Sequence, residues 1–148
     1  MNKSSGALGG IVLVLIALLV AGCGGSSEEA LTKSEFVEQG NAICKQATKE
    51  REKAIAEFAQ TGNPNGSREN LQEEAVEKAL PSYEGAAEKI AELRAPKGDE
   101  AKVEAIVEGM EETVAKIHAN PQSAFAGDRA FRNANKAAEN YGLDDCVV

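Results

Sequence analysis

Residues 31–60, LTKSEFVEQGNAICKQATKEREKAIAEFAQ, decide the fold. Thr32 and Glu35 stand in capping-box register, and Leu31 and Phe36 flank them as a hydrophobic staple. Behind that start, Phe36, Gly40, Ile43, Cys44, Ala47, Ala54, Ile55 and Phe58 recur at helical spacing and share one face. Gly62-Asn63-Pro64-Asn65-Gly66 then breaks the chain. The pattern predicts one long amphipathic helix that ends near Gln60.

Downstream the same periodicity returns three times. Ser67 can cap a second helix, whose stripe is Leu71, Ala75, Val76, Ala79, Leu80, Tyr83, Ala87, Ile90 and Leu93. Pro81 falls inside it, removes one backbone hydrogen bond, and is expected to kink or split it. After Pro96-Lys97-Gly98, Asp99 starts a third helix with Val103, Ile106, Val107, Met110, Val114 and Ile117 inward. Asn120-Pro121 reads as cap and first turn of a fourth segment. Its expected inward residues are Phe125, Phe131, Ala134, Ala138 and Tyr141, with a break near Gly127-Asp128. Gly142 has the position of a C′ glycine, and Leu143 can pack back on the last turn. Short connections between four amphipathic helices predict an all-α antiparallel four-helix bundle over residues 32–148.

Composition agrees. Aromatic residues make up 4% of the 148 and tryptophan is absent, which leaves few of the side chains that sheets favour. Residues 1–22 contain one charged side chain, Lys3, so the remaining 126 carry 15 basic and 24 acidic residues, net −9. So negative a surface repels phosphate backbones and anionic headgroups, and nucleic acid is not an expected partner.

Upstream of the domain, residues 1–22 have the parts of an export signal: Lys3, the apolar run Ile11 to Ala21, then Gly22 and Cys23. The run is shorter than the ~20 residues that span a bilayer. Leu19-Val20-Ala21-Gly22-Cys23 resembles the bacterial lipobox, with Val20 where leucine is commonest. That resemblance implies cleavage before Cys23 and a diacylglycerol on its thiol, so the expected partner is a membrane held through a lipid anchor at Cys23. Two acyl chains give lasting attachment where one is marginal. Residues 23–31, with Gly24-Gly25-Ser26-Ser27, read as a flexible tether. The expected location is the extracytoplasmic face of the cell membrane.

Three cysteines are present, and lipid takes Cys23. Cys44 and Cys146 remain, an even pair in an oxidising compartment, and a structural disulfide is expected between them. Two buried free thiols are the alternative. The frames LTKSEFVEQGNAIC (31–44), IAELRAPKGDEAKVEAIVEGM (90–110) and YGLDDC (141–146) resemble small helical lipoproteins of high-GC Gram-positive (actinobacterial) bacteria, a group without assigned activity. The resemblance implies a stapled helical lipoprotein and lends no catalytic residue.

Chemistry-bearing clusters are few. Glu104, Glu108, Glu111 and Glu112 share a helix face that points away from Val103, Ile106 and Met110, and read as solvated. His118 is the only histidine; Ala115, three residues before it, rules out a Glu-x-x-His motif. His118 reads as a packing residue at the edge of the apolar face. Met110 and His118 lie about 12 Å apart along one helix and cannot ligate one haem iron. A nucleophile lacks a base and an elbow sequence. Asn65-Gly66-Ser67 matches a glycosylation sequon but reads more simply as turn and cap. No metal, cofactor or catalytic residue is expected. Arg51 stands out, in line with Ala47, Ala54 and Phe58 on the apolar stripe. It reads as a snorkelling or carboxylate-paired side chain, or as an anion contact in a groove between helices. The expected function is a non-catalytic binding or structural module of the cell envelope, with another envelope protein as its partner. The alternative is a carrier or sensor of a small apolar or anionic ligand, held near Arg51 and Pro81.

Overall fold

The computed structural model describes residues 30–62 and 65–148. The leader 1–22, Cys23 and the tether before Ala30 lie outside the described residues, as do Asn63 and Pro64 of the first turn. Four α-helices succeed one another: α1 Lys33–Thr61, α2 Arg68–Glu92, α3 Glu100–Ala119 and α4 Arg132–Tyr141. No strand occurs among the described residues. None of their helices is long and apolar enough to cross a membrane.

The starts of the first two helices obey their capping chemistry. The Glu35 carboxylate accepts the Thr32 backbone N–H at 2.8 Å, and the Thr32 hydroxyl accepts the Glu35 N–H at 3.2 Å. These bonds satisfy two amides that no earlier turn can reach; the Thr32 hydroxyl, donating to the carboxylate at 2.7 Å, and then the Thr32 N–H hold the Glu35 carboxyl below its ordinary value. Ser67 accepts from the Asn70 N–H at 3.2 Å and opens α2. The sequon serine is thus used as a cap.

Of the two outcomes expected at Pro81, the split does not occur: α2 runs unbroken from Arg68 to Glu92. Pro81 sits on the exposed face, where a carbonyl left without its donor can be solvated. The fourth segment breaks near Gly127-Asp128 as expected, and what precedes the break is not α-helical. Asn120 does cap Pro121, its side chain accepting the Gln122 N–H at 3.2 Å, but the next turns are 3-10: Pro121–Phe125, then Gly127–Arg129. Gly127 has φ 76, a conformation that side chains with a Cβ resist, and the helix restarts only at Arg132. Phe125, expected inward, is consequently 50% exposed.

α1 packs on α2, α2 on α3, and α3 on α4. The larger core cluster gathers Phe36, Tyr83, Ile90, Ile106, Met110, Tyr141 and Leu143 around Cys44 and Cys146. A smaller one joins Val76, Leu80, Ile117 and Ala130. Two glycines permit close approach. A Cβ on Gly109 would come within 3.1 Å of the Ala134 Cα, so α3 and α4 touch backbone to backbone there. A Cβ on Gly40 would come within 2.6 Å of Leu143.

Gly142 ends α4 at φ 99, with its N–H donating to Glu139 and the Leu143 N–H to Ala138 at 2.9 Å. That is the Schellman arrangement. It turns the chain so that Leu143 is fully buried against α1. The sulfurs of Cys44 and Cys146 then meet at disulfide distance, with Cα atoms 4.9 Å apart. Asn41 adds a second tie: its side-chain amide donates to Gly142 at 3.1 Å and accepts the Asp145 N–H at 3.0 Å.

Candidate functional site

Past Cys44 the cover over α1 thins. The Asp144–Cys146 turn packs near Cys44, and beyond it α1 has chiefly α2 to lie on. Its stripe continues in sequence, yet the buried residues of α1 are only Phe36, Gly40 and Cys44. Ala54 and Phe58 are half-buried, and Ile55, expected inward, is 38% exposed. Exposed Phe125 stands on the far side of the same opening.

Between these walls lies an open groove with a cavity of about 330 Å³. Ile55 of α1, Val76 and Leu80 of α2, Ile117 of α3, and Phe125 and Phe131 supply most of its apolar lining. Its volume is near the lower end of the range for small-molecule sites. Arg51 and Glu52 are the charged side chains among the described residues that line it, and Val148 lines it beside them. Successive helix positions diverge, and the two differ in burial: Arg51 is half-buried, Glu52 exposed. Among the described residues no hydrogen bond or ion pair takes up the Arg51 guanidinium, so pairing with a bundle carboxylate is not its arrangement here.

Tyr83 also lines the groove. Its side chain is buried, and its hydroxyl has no hydrogen-bond partner among the described residues. Burial pushes the phenol up to about 12, against smaller opposite pulls from the Thr113 hydroxyl and the Arg51 guanidinium. Thr113 is itself buried, and its single proton serves Gly109 and Ala130 carbonyls at 2.8 and 3.1 Å. A buried donor left without an acceptor costs free energy, and such groups are uncommon in native folds. The sequence marks Tyr83 as core by its spacing; it carries no sign that the hydroxyl ends without a partner.

The remaining candidates sit elsewhere. His118 is exposed, where packing was expected, and its Nε2 meets Glu84 across α2 and α3. The i, i+4 spacing from Val114 brings it beside the apolar face, but its ring swings outward to the carboxylate. Glu104, Glu108, Glu111 and Glu112 are all exposed. No group of three or more metal-ligating side chains gathers among the described residues. At the opposite end of the bundle from the groove, Tyr141 donates to Asp99 at 3.0 Å, with Lys33 stacked 4.8 Å from its ring centre.

Compared with family models, with curated proteins and with solved structures, the chain finds no match.

Proposed function

We propose that this chain is a lipid-anchored, extracytoplasmic module of the cell envelope that binds without catalysis and holds a small apolar ligand in the groove beside Arg51. Its helices run antiparallel, and its anchor is the diacylated Cys23 left when the leader is cut, as in the actinobacterial lipoproteins it resembles. The groove carries this reading: an open cavity of about 330 Å³ with mainly apolar walls and, in Arg51, a cation without a partner among the described residues. The leader, the lipobox-like Ala21-Gly22-Cys23 and the Gly-Ser tether support the location. Arg51 is eighteen residues past Lys33, about 27 Å along α1, so the tether holds the groove well off the bilayer.

Mass spectrometry of the chain purified from its own membranes tests both halves. Denatured, it should start at an acylated Cys23 with Cys44 and Cys146 oxidised; sprayed natively, it should retain a non-covalent small molecule. A retained leader with reduced thiols would remove the location. A native spectrum without any adduct, from a protein that also fails to bind an apolar fluorescent probe, would remove the ligand reading. The outward Phe125 beside Ile55 favours a second reading, docking of another envelope protein. A photo-crosslinking residue at position 125 should then capture one protein reproducibly in cells.

A further inference from the structure

We infer that the ligand is a single-chain aliphatic acid, its carboxylate on Arg51 and Tyr83 and its hydrocarbon tail along Val76, Leu80 and Ile117. The inference rests on the groove being a ligand site, as proposed above, and names what that site selects. Three features of the groove converge on it. The walls are mainly apolar, which suits a tail and offers little to a sugar or a nucleotide. The cavity of about 330 Å³ is small among ligand sites and fits one chain better than a two-tailed lipid.

The head is set by the two polar groups without partners. Arg51 presents a planar fork that matches a carboxylate, and it has no partner among the described residues. Tyr83 holds a buried hydroxyl that no described residue accepts from. A carboxylate is acceptor-only with about four lone-pair sites, so it can take the guanidinium and the phenol together. The Arg51 charge is felt at the Tyr83 phenol, and both residues line the groove. A neutral hydrocarbon would fill the walls and leave both donors empty. A cationic amphiphile would meet Arg51 as a like charge. Glu52 lines the groove too, but it is exposed where Arg51 is half-buried, so water screens its carboxylate more than the guanidinium.

Equilibrium dialysis of labelled dodecanoate and of dodecanol tests this, using nanodiscs that carry the full chain and subtracting empty nanodiscs. Dodecanoate should bind about tenfold tighter than dodecanol, the worth of one charge-assisted contact at a half-open rim. R51Q should erase that preference by weakening dodecanoate about tenfold, while R51K restores most of it. Y83F should weaken dodecanoate about threefold, the mark of one lost neutral hydrogen bond. Matching circular dichroism for each variant checks that the bundle is intact. Equal affinity for acid and alcohol, or an unchanged preference in R51Q, overturns the acid assignment while leaving an apolar groove. Binding of neither compound overturns the groove itself.

Discussion

Between Phe36 and Cys44, α1 is covered by Tyr141, Leu143 and the sulfur of Cys146; between Arg51 and Phe58 the same helix lies half open. Both stretches carry apolar residues at helical spacing, so their difference is not in the pattern. It lies in what returns to them. The first half receives the C-terminal turn, aimed by Gly142 at φ 99 and fastened by the disulfide and Asn41. The second half would need a longer fourth helix, and with Gly127 at φ 76 that length goes into 3-10 turns. One end of the bundle is therefore a locked core, and the other a lined opening.

Removing the disulfide should break the locked end most severely. It closes a loop with a sequence separation of 102, for which chain entropy allows up to ~4.7 kcal/mol. C44A/C146A should lower stability by about 4 kcal/mol, read as a fall in Tm on the order of 10–15 °C. A fall of only a few degrees would mean that Leu143 and Asn41 hold that end without it.

Alkali reports on both ends at once, because the chain has two tyrosines, Tyr83 at the groove and Tyr141 at the locked end. Burial pushes both phenols from 10.0 up to about 12, with Asp99 adding to the effect at Tyr141. Folded values above the unfolded one mean that the neutral phenols stabilise the fold fully below pH 10 and that this is lost as pH climbs from 10 towards about 12. Phenolate absorbance should stay flat through about pH 10 while circular dichroism remains native. If dodecanoate holds Tyr83, it should also move one of the two titrations and not the other.

G40A sharpens the comparison within α1. Its new Cβ would fall 2.6 Å from a Leu143 methyl that is wholly enclosed, and overpacking of that kind costs ~1–3 kcal/mol by urea denaturation. The smallest change belongs to the open end. Half of the Phe125 ring is already in water, so F125S should cost about 1 kcal/mol or less while weakening whatever the groove holds. A larger loss would show that Phe125 closes the groove in solution.

The helix caps and the disulfide are legible in the residues. The capping box at Thr32 and Glu35, the Ser67 cap, the C′ glycine at Gly142 and the pairing of Cys44 with Cys146 each rest on local chemistry or on cysteine parity, which spacing reports directly. Arg51 is conspicuous for the same reason, a charge in an apolar stripe. The outward Phe125 and Ile55, the unbroken α2 and the His118–Glu84 pair are not legible, because each depends on which neighbour arrives to cover or bond the side chain. Tyr83 shows the limit most clearly. Its spacing assigns the ring to the core correctly, and the lone hydroxyl emerges only once its neighbours are placed and none of the described ones stands in bonding position.

By itself the amino-acid order determined that this chain is helical, where its first two helices begin and how its last one ends, because caps, breakers and periodicity act over a few residues. Tertiary structure alone decided which half of α1 is sealed and which half opens on a groove, because burial depends on the distance between elements that are remote in the chain. The break at Gly127 is marked in the sequence, and only the tertiary structure shows that it leaves the space beside Arg51 open.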